Sequence, residues 1–251
     1  MTDEPFTCCA AGVRISTNRP VLMQSDPIDA DCTCTVQYDE AASLPPHWHA
    51  LPENEFPACA YLKTDGTAAI ITRPAQAPDE RATQIRMLAP FAAALQGKLT
   101  LHASCVRREG RAYGFIGGSG VGKSTFARYL LERGWQLVCD DLLPCREAGG
   151  RFIIRSQFGA INLQGLFFLQ RTYAEGELHT IPLRPAEAMV AHLQNGFGEM
   201  HHRAAWALQF KAYGELSRKL SNYRLLVPDN ISRLAQAAQT WCDQQKAAIS
   251  L

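Results

Sequence analysis

No C-x-x-C pair occurs among the nine cysteines of this 251-residue chain, and their number is odd. Cys8-Cys9 and Cys32-Thr33-Cys34 are tight pairs, while Cys59, Cys105, Cys139, Cys145 and Cys242 are scattered. The recognised spacings of zinc sites and small disulfide scaffolds are missing. The thiols are therefore expected to be reduced and mostly buried, as small hydrophobes. His47-Trp48-His49 lies in a Pro-rich stretch and is read as a loop, not as a metal partner of a cysteine pair. Charge of one sign is missing too. With 25 Lys and Arg against 24 Asp and Glu, the net charge of +1 leaves no electrostatic footprint for nucleic acid or an anionic membrane. No apolar run approaches the roughly 18 residues a membrane span needs. Met1-Thr2-Asp3-Glu4-Pro5 lacks the basic n-region of a signal peptide, so the expected setting is the cytoplasm. What remains is an ordinary globular profile, 47% apolar and 20% charged, long enough for one large domain or two small ones.

Two sections are expected. Residues 1–78 read as a small β-rich section. Short β-branched or alternating pieces recur at Val13–Ile15 and Cys32–Tyr38. Tyr61-Leu62-Lys63 and Ala68–Ile71 flank Thr64-Asp65-Gly66-Thr67, a hairpin signal. Pro45-Pro46, Pro52 and Pro57 mark an irregular connector. Residues 79–251 read as an α/β nucleotide-binding section ending in helices. Asp79–Gln96 predicts a helix with Asp79 as N-cap, a kink at Pro90 and Gly97 as its stop. Leu99–Val106, Arg111–Ile116 and Leu137–Cys139 read as strands, with a turn at Glu109-Gly110. Helices are expected over Pro185–Gln194, from about residue 201 to 220, and over Pro228–Lys246. The Tyr and Trp positions are expected in the core.

Gly117-Gly118-Ser119-Gly120-Val121-Gly122-Lys123-Ser124 fits the phosphate-binding pattern G-x-x-x-x-G-K-[ST] at every fixed position. Several backbone N–H groups must point at one anion, which needs glycines where side chains would block the phosphates or φ must be positive. Lys123 would supply a point charge for the β- and γ-phosphates, and the Ser124 hydroxyl a Mg²⁺ ligand. A buried strand enters the loop at Ile116. A helix leaves it from Ser124 to Arg133, with Phe126, Ala127, Leu130 and Leu131 on one face and Gly134 as the stop. The phosphates would then lie at a helix N-terminus, where the dipole favours anions.

A phosphate loop alone says only that a nucleotide is bound. Asp140-Asp141 follows the strand after the loop helix. One carboxylate there can hold Mg²⁺ while the other faces an acceptor hydroxyl, provided the strand ends at that point. A solvated Asp-Asp turn is the competing reading. His102 lies on the strand before the loop. A lone strand histidine is ordinarily a hydrogen-bonded core group, but the neighbouring motif and the spacing favour a role in the site.

Together Leu101-His102-Ala103-Ser104, the loop, Arg133-Gly134-Trp135-Gln136-Leu137-Val138 and Asp140-Asp141 resemble the catalytic domain of HPr kinase/phosphorylase. That family has a His on the strand before a G-x-S-G-x-G-K-S loop, then an R-G-x-x-L-V-x-D-D segment. His102 lies 21 residues before Lys123 and Asp140 lies 17 after it, the spacings expected of the family. The resemblance implies a fold like the nucleotide domain of phosphoenolpyruvate carboxykinase. It implies ATP and Mg²⁺ as cofactors and Asp141 as base toward a Ser hydroxyl, with His102 tuning that carboxylate. Asp140 and Ser124 would lie at the metal. Gly117 through Thr125, Lys123 above all, would hold the phosphates. The division of labour between Asp140 and Asp141 stays open.

Bacterial HPr kinases carry a second signature, E-I-R-G-L-G-I. The corresponding stretch here, Ser156–Phe167, has no acidic residue, and Thr125 stands where the family usually has Glu. The pattern Leu166–Leu169, Ile181-Pro182-Leu183 and Pro185-Ala186-Glu187-Ala188 resembles instead the compact HPr-kinase-related proteins. Some of these phosphorylate a ribosomal precursor peptide, as lasso-peptide kinases do. The expected partner is thus a peptide or small protein, with no nucleic acid and no membrane. A homo-oligomer is the further expectation from the family. A small-molecule kinase and a non-catalytic nucleotide sensor are the rival readings.

Overall fold

The computed structural model describes residues 5–23, 30–51, 60–172, 178–196 and 203–249, so Pro52, Pro57 and Cys59 lie outside the described residues. Among the described residues the architecture is mixed α/β, with two sheets and five helices. In the first section, β1 (Phe6–Ala10) and β2 (Val13–Thr17) form an antiparallel hairpin. β3 (Cys32–Tyr38) lies parallel to β2 and buries every second residue, Cys32, Cys34, Val36 and Tyr38. That alternation is what a half-buried strand requires. β4 (Trp48–Ala50), β5 (Ala60–Lys63) and β6 (Ala68–Ile71) complete a sheet of order β1-β2-β3-β6-β5-β4. The β5–β6 hairpin is the one the sequence pattern indicates. His47-Trp48-His49 differs from its reading as a loop, because Trp48 and His49 pair with Lys63 and Leu62.

α1 (Pro78–Leu95) covers this sheet through Ile85, Leu88, Ala89 and Ala92. Its N-cap is Ala77 rather than Asp79, because Pro78 takes the first helical position, where a missing N–H costs nothing. Pro90 lies buried within it. It ends in a Schellman arrangement: the Gly97 N–H reaches Ala94 O and the Lys98 N–H reaches Ala93 O, with Gly97 at φ 75°. The helix also packs on the second sheet, which explains why Ala and Leu surround it on most sides.

β7 (Leu99–Arg108) and β8 (Arg111–Ile116) pair through Glu109-Gly110, both at positive φ as a tight hairpin turn demands. β9 (Gln136–Cys139) and β10 (Leu142–Ala148) share the other edge of β7, β9 against Cys105–Arg107 and β10 against Leu99–His102. β11 (Arg151–Ser156) turns back on β10. β12 (Gly159–Thr172) pairs with β11 over its first half, with β8 in its middle, and with β14 (Ser221–Pro228) over its second half. Strands β7, β8, β12, β11 and β10 thereby close into a ring, and β13 (His179–Pro182) is added beside β14. β10, β13 and β14 carry no expectation from the sequence pattern.

Alternation along β8 and β12 feeds two cores. Ile116, Leu166 and Phe168 face α3 (Pro185–Asn195) and α4 (Arg203–Lys219). Phe115, Phe167 and Leu169 face α2 (Lys123–Leu131) and α5 (Ile231–Ile249). Seven of the eight described cysteines are buried. Trp135 and Trp241 are core residues, whereas Trp206 is 44% exposed and stacks on Phe210 on the outer face of α4. No helix among the described residues is long and apolar enough to cross a membrane.

Candidate active site

The ends of three strands meet at one level. Ile116, the last residue of β8, pairs with Ala103 of β7. On the opposite edge of β7, β9 stops at Cys139 and β10 begins at Leu142, so Asp140-Asp141 interrupts what would otherwise be one strand. The Ala103 N–H donates to Asp141 O at 3.2 Å, which ties the interruption to the middle of β7. The glycine-rich loop, His102 and the paired aspartates therefore converge.

Within the loop, Gly117 is buried and Gly118, Ser119 and Gly120 are exposed. A Cβ at Gly117 would come within 2.8 Å of Val121 Cγ1 and 3.1 Å of Leu169 O, so the loop seats on β12 only without a side chain there. Gly122 is the N-cap of α2, with φ 109° and no side-chain cap. The first-turn amides of α2 are thereby left open toward an anion. Lys123 is 8% exposed, and its Nζ donates to Gly117 O at 2.8 Å and Gly118 O at 3.2 Å. Burial pushes its pKa down, against the opposing charges of Asp141 and Asp140.

The two aspartates have different partners. Asp140 Oδ1 accepts from the Ser124 hydroxyl at 3.1 Å and also from the Ser104 hydroxyl. Asp141 Oδ1 lies 3.0 Å from His102 Nε2. A hydrogen bond from His102 holds the Asp141 carboxyl below the usual carboxylate range against partial burial, and the charges of Arg86 and Lys123 add to this. Asp141 has φ 85°, a conformation side chains rarely adopt, and this reversal sends adjacent side chains to two separate partners. Thr125 borders a cleft of about 300 Å³ with Ser124, Arg128 and Asp140.

Ser104, Arg171 and Asp229 are neighbours of this site that sequence reasoning missed. Ser104 is fully buried and lies two residues beyond His102, hence on the same face of β7; strand alternation was the signal for it. Arg171, at the end of β12, donates to Gly120 O at 2.9 Å and Val121 O at 3.2 Å, and pairs with Asp229 at 2.6 Å. No local pattern links residues 50 positions apart. Arg151 and Arg155, which flank Phe152–Ile154, sit on β11. His192 is a packing group and is 2% exposed. His201-His202 lies outside the described residues.

The donor set suits a nucleotide and a hard cation. A hydroxyl and a carboxylate 3.1 Å apart offer the oxygen ligands that Mg²⁺ prefers. The uncapped start of α2 and the Lys123 ammonium suit phosphate oxygens.

The class defined by this arrangement is a mixed α/β protein with a glycine-rich loop between a strand and a helix. No family model matches the chain, and no curated protein does. Among solved structures, the HPr(Ser) kinase/phosphatase from Coxiella burnetii is similar at 12% identity and a TM-score of 0.34, over 59% of this chain and 98% of that one. A similarity of that size carries no functional argument, so the functional reading rests on the site.

Proposed function

We propose that this chain is an ATP-dependent kinase that transfers the γ-phosphoryl group to a Ser or Thr hydroxyl of a peptide or small protein. The observation that carries the reading is the split of the aspartate pair, with Asp140 on Ser124 at 3.1 Å and Asp141 on His102 at 3.0 Å. One carboxylate stands against the Ser124 hydroxyl, where it could face a cation, and the other, its pKa lowered, is half exposed beside His102. Two solvated turn residues would have no reason to adopt this arrangement, least of all with Asp141 at positive φ.

Mg²⁺-ATP, when bound, supplies the transferable phosphoryl group and the charge that neutralises it. Ser124 and Asp140 would hold the cation. Lys123 and the open amides of α2 would hold the phosphates, and the Lys123 ammonium is already confined to the loop. Asp141 would orient the acceptor hydroxyl and take its proton, while His102 keeps that carboxylate aimed and ionised. Most of the rate would come from positioning and electrostatics.

The test is transfer from γ-labelled ATP with Mg²⁺ into two pools, one of Ser-containing peptides and one of hydroxylated metabolites, with Lys123→Ala as control. Label on a peptide, absent in the control, supports the reading. Label confined to metabolites replaces it with a small-molecule kinase. Tight ATP binding with no transfer to either pool replaces it with a nucleotide sensor.

A further inference from the structure

Away from the glycine-rich loop, where the two sheets meet, three cations surround one carboxylate. Lys98 has only 5% of its side chain exposed; its Nζ donates to Gly12 O at 2.9 Å and to Asp31 Oδ1. Asp31 Oδ2 lies 3.7 Å from Arg146 Nη1 and 3.6 Å from Arg155 Nε. These residues line a cleft of about 210 Å³ with Pro144, Cys145, Ala148 and Ile153. Three cations against one carboxylate leave an excess of two positive charges. The next acidic residue on β10, Glu147, points to the opposite face and pairs with Lys219 at 3.3 Å. Each guanidinium has five N–H donors, and at more than 3.5 Å from Asp31 neither spends a well-formed bond on it. Arg146 Nη2 reaches Gln96 O at 3.5 Å and Cys32 Sγ at 3.7 Å. Arg146 and Arg155 are 44% and 58% exposed, so their remaining donors face solvent.

We infer that this cleft binds the side-chain carboxylates of an acidic peptide segment, with Asp31 marking where one carboxylate fits. Its size admits one or two carboxylate side chains and excludes a helix or a duplex. The chain's net charge of +1 gives no broader field that would draw a nucleic acid. The cleft is also joined to the candidate site through β10. Lys98 immediately precedes β7 and lies four residues before His102, and Arg146 is five residues along from Asp141. That is roughly 17 Å at the usual rise of a strand. An extended peptide with its hydroxyl at Asp141 would place an acidic residue in the cleft about five positions away. This use of the cleft rests on the kinase reading; the binding does not.

The experiment measures binding of fluorescein-labelled hexaglutamate to the full chain without nucleotide, with hexaglutamine as control. The wild type should bind hexaglutamate and not hexaglutamine, and binding should weaken as salt rises. Arg155→Gln alters an exposed side chain and should weaken binding about fivefold, and Arg146→Gln with Arg155→Gln by about twentyfold or more. Asp31→Asn removes the resident carboxylate and should bind at least as tightly as wild type. Equal affinity for the two peptides, or hexaglutamate affinity unchanged in the double variant, overturns the inference. A chain that binds through the cleft yet phosphorylates nothing loses the kinase reading and keeps this one. A working kinase indifferent to both Arg substitutions does the reverse.

Discussion

Asp141 combines an unusual backbone with a defined partner, φ 85° and His102 at 3.0 Å. Asn tolerates the same left-handed region, so Asp141→Asn keeps the fold while removing the proton acceptor. That variant should bind nucleotide normally and lose transfer by about 10² or more. A single-turnover assay beside a titration of ATP binding separates the two, and near-normal turnover would remove Asp141 from the role of base. Arg171 acts differently, since its fork holds two carbonyls of the loop rather than a reacting group. Arg171→Ala should loosen the loop and weaken ATP binding about five- to tenfold, the scale of one or two hydrogen bonds. Calorimetric titration checks this, and an unchanged Kd would mean that the loop holds its shape without the clamp. His102, Lys123 and the two aspartates are legible in sequence as residue types at set spacings. Ser104 carries only the weaker signal of lying two residues from His102 on one strand, and Arg171 carries none, because it meets the loop from 50 residues away.

Among the elements, α2 and α5 jointly set the angle of the loop. Leu234 of α5 lies 3.4 Å from where a Cβ on Gly122 would stand. Beneath them Trp241 of α5 is fully buried, with ring centroids within 5.5 Å of Tyr113, Phe115, Trp135 and Phe167. These rings come from β8, β12, α5 and the approach to β9, and Phe126 of α2 lies 6.4 Å from Trp241, so one side chain ties the loop's entering strand to its leaving helix. Trp241→Ala should lower unfolding free energy by about 3–5 kcal/mol, as loss of a large buried ring ordinarily does. Urea denaturation measures it, and a loss under about 1 kcal/mol would show that the cluster repacks. Local pattern was enough for α1, the β5–β6 hairpin and the β7–β8 turn, whose signals are caps, glycines and alternation. It did not reveal β14, where Ser221–Pro228 is mixed in polarity and pairs with β12 on one side and β13 on the other.

The molecule as a whole carries a pH dependence in its second core. His192 is buried between Phe168, at 5.0 Å, and Tyr213, at 5.2 Å, with its Nε2 3.1 Å from Asn222 Oδ1. Burial pushes its pKa down to about 4, against the Asn222 hydrogen bond. The unfolded chain binds this proton near the ordinary value of about 6.5. Stability from this group is therefore complete above pH 6.5, falls as pH drops toward 4, and levels off below that. The total should be about 3 kcal/mol, from the size of the shift. Urea melts of the wild type at pH 7 and pH 4.5 should differ by most of that amount, and His192→Gln should remove the greater part of the difference. A wild-type stability that stays flat over this interval would mean that the buried imidazole finds a partner for its proton.

Residue types at short range carried the strand–loop–helix reading, the aspartate pair after the third strand and the helix that closes the first section. Each of these is governed by local forces: positive φ at glycine, a helix stop, an apolar face repeating every three to four residues. Which residues meet across the chain was settled by pairing. β9 and β10 share one edge of β7, and this brings Asp140 to Ser104 and Asp141 to His102. The union of two sheets brings Asp31 to Lys98, Arg146 and Arg155. A strand's side-chain pattern specifies its faces but not its neighbour, because backbone hydrogen bonds are nearly the same on every edge. The core that closes over both faces selects among them, and that selection exists only in the folded chain.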